Sequence, residues 1–325
     1  MPESLDEYRA EADVFSAALL EEYYLQLAGH KETLELAPIY ERHADLTALD
    51  TCRWLSEQAA GTTPPSGIAE LWRFGCEGFL GDLTREHDER IAEQEATLTA
   101  HVDGEDVAYR MLRPRLANEP DRARRESLDE ARRRLVEELN AVHVEAIEAV
   151  RSGAVELGAA NVRELYERFG FELEPLARGC ASFLMETEAL HAETFDRLLR
   201  TRVGVSLEDA GRWDVPRALR APRWDEGFAA DGMVAALEAT LTGLGVDLRA
   251  QRNIQLDLDE RPTKSPRAFC APIEVPARVV LVLQPIGGLD DWQALFHEAG
   301  HAEHFANTRA ELAVEERRLG DSAVT

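Results

Sequence analysis

The chain is 325 residues long, 45% hydrophobic with only 7% aromatic residues, and 30% charged. That is enough for a sizeable core in one large two-lobed domain or in two domains, and too apolar for a disordered chain. The formal charge of −26 is spread along the sequence and repels phosphate backbones and anionic lipid, so neither nucleic acid nor a membrane is expected as a partner.

Acidic residues outnumber basic ones 62 to 36, and Lys occurs only at Lys31 and Lys264, a bias that reads as solvation at high salt or as overall compositional drift. No basic segment followed by an apolar run opens the sequence, and no run of about 18 apolar residues occurs, so a cytoplasmic protein is expected. Cys52, Cys76, Cys180 and Cys270 are far apart and read as small buried residues.

In chain order, Ser4-Leu5-Asp6-Glu7 has the pattern of a capping box and predicts a helix to about Ala28, with Gly29 as its stop. Tyr8, Ala12, Phe15, Leu19, Tyr23 and Leu27 recur at steps of three and four and form one apolar stripe. Further helical runs are expected over about 37–60 and 67–95. The charged stretch 101–121, with Gly104, Pro114 and Pro120, reads as a short helix between turns. A second capping box at Ser127-Leu128-Asp129-Glu130 opens a helix in which Leu128, Ala131, Leu135, Leu139, Val142, Ala146 and Val150 keep a 3.6-residue period. Three more helices follow, from Asn161 to Gly170, from Leu173 to about Val203 and from Ser206 onward, and the pattern is helical almost throughout to Ala250.

After Gly243-Leu244-Gly245 the period changes to two. Ile254, Leu256 and Leu258 alternate with polar residues, 277–283 is rich in β-branched residues, and 267–271 is a candidate for a further strand. Pro262, Pro266, Pro272 and Pro276 keep these elements short. The fold class is therefore mainly α, with a small β-sheet beside a final helix over about 290–307.

That helix carries His297-Glu298-Ala299-Gly300-His301. Imidazoles four residues apart project from one face, with about 6 Å of axial rise between their Cα atoms, and can share one ion. Zinc binds imidazole nitrogen in tetrahedral geometry, and Glu298, one step round the helix, is placed to take a proton from water. Asn307 rather than His stands ten positions after His297, which argues against a third His ligand there. His304 lies near the same face, as a supporting residue of the site or as a packed structural one.

The run from Asp290 to His304, with Gly300 and His304 extending the minimal motif, resembles the thimet oligopeptidase and oligoendopeptidase F family of zinc peptidases, whose signature is His-Glu-x-Gly-His-x-x-His. Lys264-Ser265-Pro266-Arg267-Ala268-Phe269-Cys270 is similar to the segment that precedes the active-site strand of that family, and the likeness is specific over 257–325. The resemblance implies a multi-helix, two-lobed peptidase fold with a deep cleft and zinc at its base. It also implies cleavage of short peptides, since folded proteins cannot enter such a cleft. On this reading 1–200 form an α-helical lobe and 201–325 the N-terminal part of the catalytic region. His297 and His301 are then zinc ligands and Glu298 the catalytic acid and base. The third ligand implied is a Glu about 29 residues after the first His, a position just past Thr325, with Asp321, Glu315 and Glu316 as candidates nearer by. In related zinc peptidases a substrate pairs with a free strand edge, for which 267–271 is the candidate. The alternative expectation is a catalytically incomplete peptide-binding or scaffold protein descended from such a peptidase.

Overall fold

A computed structural model describes residues 2–60 and 67–319. Helix α1 (Leu5–Leu27) begins where expected: Ser4 Oγ accepts the Glu7 amide at 3.2 Å, while the Glu7 carboxylate takes the amide of Glu3, one residue before the capping-box partner. It ends at Gly29, where φ is +76° and an added Cβ would lie 2.7 Å from the Lys264 amide nitrogen. Only glycine fits that close approach in that conformation.

The expected run over 37–60 is two helices, α2 (Ala37–Arg42) and α3 (Leu49–Ala59). Thr51 Oγ1, in the first turn of α3, donates back to the carbonyl of Asp45 in the connection at 2.7 Å, a local side-chain bond that competes with a continuous helical ladder. The long helix α4 (Gly67–Thr97) follows. Tyr8, Phe15, Leu55 and Leu71 join α1, α3 and α4 in one apolar cluster.

The stretch 101–121 corrects the sequence reading. A hairpin of β1 (Thr99–Val102) and β2 (Glu105–Ala108) precedes the short helix α5 (Tyr109–Asn118). Asp103 and Gly104 turn it with φ of +52° and +84°, the Asp-Gly signal of a two-residue hairpin loop. Helix α6 (Arg122–Glu156) starts five residues before Ser127, capped by Asp121, whose Oδ1 accepts the Arg124 amide at 2.8 Å. The second capping box therefore lies inside a helix. Asn161 caps α7 (Val162–Arg168) and α8 (Leu173–Arg202) follows as expected. Between 206 and 250 the chain is less helical than its pattern suggests, with α9 (Asp214–Arg220), α10 (Met233–Gly243) and short 3-10 turns, because Pro222, Gly227 and Gly232 interrupt the run.

Strands β3 (Ile254–Asp257), β4 (Phe269–Glu274) and β5 (Arg278–Val282) form a sheet with β5 in the middle, parallel to β3 and antiparallel to β4. Alternation gives it two apolar faces. Ala271, Ile273, Val280 and Val282 pack on Tyr24 and Ala28 at the end of α1. Val279, Leu281 and Leu283, with Ile254, Leu256 and Cys270, pack on α10 and on α11 (Leu289–Ala306). The sheet is thus a filling between the first helix and the motif-bearing one. The short helix α12 (Val314–Arg317) lies against α1 and α4, and no helix among the described residues is long and apolar enough to cross a membrane.

Candidate active site

The turn from β5 into α11 fixes where the motif falls. Gly287 and Gly288 have φ of +91° and +94°, and Asp291 Oδ2 accepts the amides of Ile286 at 2.7 Å and Gly287 at 2.8 Å. The Gly288 amide donates to the Phe228 carbonyl at 2.8 Å, and Trp292 Nε1 donates to Ala229 O at 3.1 Å. A Cβ on Gly288 would lie 2.6 Å from Arg220 Nη2 and 2.9 Å from Asp225 Oδ1, two groups that are themselves ion-paired at 2.8 Å. At the other end Asn253 Nδ2 donates to the carbonyls of Ala306 and Pro276, both at 2.8 Å. Leu295, Ala299, Ala302 and Ala306, at helical spacing, are the buried stripe of α11. Both ends and one face are held, so the rotation of the helix is set.

This rotation leaves His297 exposed, with Glu298 and His301 half-buried. The Nε2 atoms of His297 and His301 are 3.2 Å apart, and the rings are nearly perpendicular with centroids at 4.8 Å. Two nitrogens each bound at about 2.0–2.1 Å to a tetrahedral ion lie about 3.3 Å from one another. The imidazole pair therefore has the span of one edge of a zinc tetrahedron, and the donor set fits the metal at two corners. Burial, and after it the charge of Glu298, push the Cys270 thiol on β4 up to about 12. His304 is exposed, with its ring edge-on to Phe305 at 5.3 Å. Glu303 instead braces the helix, accepting from Gln251 Nε2 and Asn307 Nδ2 at 2.9 Å.

Among the described residues no third His, Cys, Asp or Glu joins the pair. Glu315 is committed elsewhere: its Oε1 accepts from Arg9 Nη2 at 2.7 Å, its side chain is 3% exposed, and Gly67 leaves room for it. Glu316 is exposed on α12, and Asp321 lies outside the described residues.

Strand β4 stands at the edge of the sheet, and its two halves differ. Arg318 Nη2 donates to the carbonyls of Pro272 at 3.2 Å and Ile273 at 2.5 Å, and Arg317 donates to Val275 O, so the second half is covered. A register shift between Ala271 and Glu274 marks the boundary. The candidate edge over 267–271 becomes strand only from Phe269.

A charged cluster that the sequence reading did not assemble locks the loop from β3 to β4. Lys264, whose side chain is fully buried, donates to the carbonyls of Asp257, Asp259 and Leu283 and to Asp257 Oδ1 at 2.9–3.0 Å. Arg261 also holds the Asp257 carboxylate, and His30 Nε2 and Tyr24 OH reach it at 3.2 and 3.3 Å. The one available signal was Lys264 itself, a rare Lys in an Arg-rich chain.

No family model and no curated protein matches the chain. Among solved structures it is similar to one described as an oligoendopeptidase F, grown by microfluidic seeding, with a TM-score of 0.51 and 18% identity over 94% of this chain and 52% of that one. Two others, an oligoendopeptidase F from Bacillus anthracis str. Ames and PZ peptidase A with an inhibitor, reach a TM-score of 0.49 at 15% and 19% identity. They are covered over 55% and 53% of their length. The chain thus spans about half the length of the structures it matches, and the likeness is one of fold.

Proposed function

We propose that this protein carries the zinc-binding helix of a metallopeptidase acting on short peptides, with His297 and His301 as metal ligands and Glu298 as general base. The observation that carries this reading is the 3.2 Å convergence of the two Nε2 atoms, with Glu298 next to His297 on the helix. When bound, zinc would supply Lewis acidity to the scissile carbonyl and to water. Glu298 takes the proton of the attacking water on its carboxylate and returns it to the leaving amine as the peptide bond breaks. The first half of β4, at the edge of the sheet, would offer backbone groups to an extended peptide, which gives affinity with little demand on side chains. The peptidases among the structural neighbours support the same reading.

The test is hydrolysis of a quenched fluorescent octapeptide by the protein supplied with zinc. Turnover that a chelator stops and Glu298→Gln abolishes is expected. Tight peptide binding without turnover would instead make the chain a peptide-binding protein, and turnover that survives Glu298→Gln would remove the assigned base.

A further inference from the structure

Helix α8 has 30 residues, a length of about 45 Å, and only one of them, Leu199 near its C-terminus, is buried. Arg202 Nη1 ties that end to the Ala218 carbonyl of α9 at 2.7 Å. From Glu174 to His191 every residue except Thr187 is exposed, so the N-terminal part of the helix stands out from the body. Its sequence does not suit solvent. Leu176, Cys180, Phe183, Thr187 and Leu190 follow one another at steps of four, three, four and three, with Leu184 beside them. That is the spacing of a coiled-coil seam, which keeps one face toward a second helix. Leu176, Phe183, Leu184 and Leu190 are 63–67% exposed. Single exposed apolar side chains are ordinary, but a stripe about four turns long is a patch of the kind that marks an interface.

The seam calls for a helix, and the charges beside it narrow which one. Between Arg178 and Arg197 the chain carries Glu186, Glu188, Glu193 and Asp196 and no Lys or Arg. Glu186 and Glu193 flank the seam directly, one heptad apart. A second copy of the chain is opposed by charge in either orientation. Antiparallel pairing sets Glu186 and Glu193 against the same residues of the other copy, and parallel pairing puts two bodies of charge −26 at one end. A basic flank meets the two carboxylates with attraction instead, as flanking charges do when they select coiled-coil partners. We propose that α8 is a docking helix for a partner polypeptide, which presents an amphipathic helix of about four turns with an apolar seam and Lys or Arg along its flanks. The site goes beyond the hydrolytic reading of α11 and does not depend on it.

The test is fluorescence anisotropy of two labelled synthetic peptides titrated with the full chain in about 0.15 M sodium chloride. Both peptides have three heptads with Leu at the seam positions; one carries Lys and the other Glu at the flanking positions, where like charges keep each from pairing with itself. The Lys peptide should bind about tenfold or more tighter than the Glu peptide. Phe183→Glu with Leu190→Glu should weaken the Lys peptide by about tenfold or more although it adds negative charge, which separates the seam from general attraction to an acidic chain. Glu186→Lys with Glu193→Lys should reverse the preference toward the Glu peptide, while the chain as a whole stays strongly acidic. The proposal is overturned if the wild type binds the two peptides alike, or if the seam variant binds the Lys peptide as well as the wild type does. It is also overturned if sedimentation shows the wild type as a dimer that the seam variant dissociates, since a second copy would then cover the stripe. All four positions are exposed, and the comparison of peptides on the unaltered protein needs no variant to fold.

Discussion

His297, His301 and Glu298 are neighbours on one helix, yet their substitutions separate cleanly. Under the proposed assignment His297→Ala and His301→Ala each remove a donor to zinc and should lower zinc content measured by plasma mass spectrometry, whereas Glu298→Gln should retain zinc and lose hydrolysis. Equal loss of metal in all three variants would contradict these roles. Asp257 makes a second prediction. Burial raises its carboxyl, but hydrogen bonds from Arg261 and Lys264 outweigh that and hold it at about 2, below the ordinary 3.8. A carboxyl depressed on folding stabilises the fold above its unfolded value, and that contribution fades as pH falls through the folded one. It amounts to about 2 kcal/mol. The urea midpoint of Asp257→Asn should therefore fall well below that of the wild type at neutral pH, and the gap should close toward about pH 2; a gap constant with pH would refute the assignment. The motif was legible because a spacing of four residues fixes its geometry locally. The Lys264 cluster was not, because three of its acceptors are carbonyls brought together only by the path of the loop.

At the scale of elements, the periodic helices α1, α4, α6 and α8 and the sheet strands could be read from the sequence, and the connections could not. The hairpin over 99–108 carried its signal in Asp103-Gly104, which a charged, proline-bearing context obscured. The break between α2 and α3 has no glycine or proline within it, and Thr51 of α3 bonds back across it to the Asp45 carbonyl. Likewise Ser127 to Glu130 matches a capping box in a helix interior, because polar residues that cap an end also serve within a helix, Asp129 here paired with Arg212 and Glu130 exposed. The β5–α11 turn gives the prediction at this scale. Gly288→Ala would force a side chain into a left-handed backbone and against the Arg220–Asp225 pair. It should cost about 1–3 kcal/mol and lower zinc affinity by rotating α11. Unchanged thermal stability would show that the turn relaxes without consequence.

For the whole molecule the charge of −26 is the dominant electrostatic fact. Self-repulsion opposes the compact state and salt screens it, while isolated surface ion pairs contribute little either way. The melting temperature followed by circular dichroism should rise as sodium chloride goes from about 0.05 M to about 1 M, where the Debye length is about 3 Å; a falling melting temperature would mean that attractive pairs dominate. The two lysines belong to this picture, for both sit among several acceptors, Lys31 at 2.7 Å from Glu22 and Glu35 and Lys264 within its loop, where a compact ammonium serves better than a planar guanidinium.

The sandwich of α1, sheet and α11 also sets an order of events during synthesis. Arg278 on β5 bonds Glu21 on α1 across 257 positions of sequence, and Arg261 reaches Ala28 across 233. At about 5–20 residues per second, the end of α1 leaves the ribosome tens of seconds before the strands that will cover Tyr24 and Ala28 exist. The nascent chain must carry that apolar patch unshielded for the interval, so the first helix is where a holding chaperone would find its earliest target and where stalled translation would expose the chain to clumping.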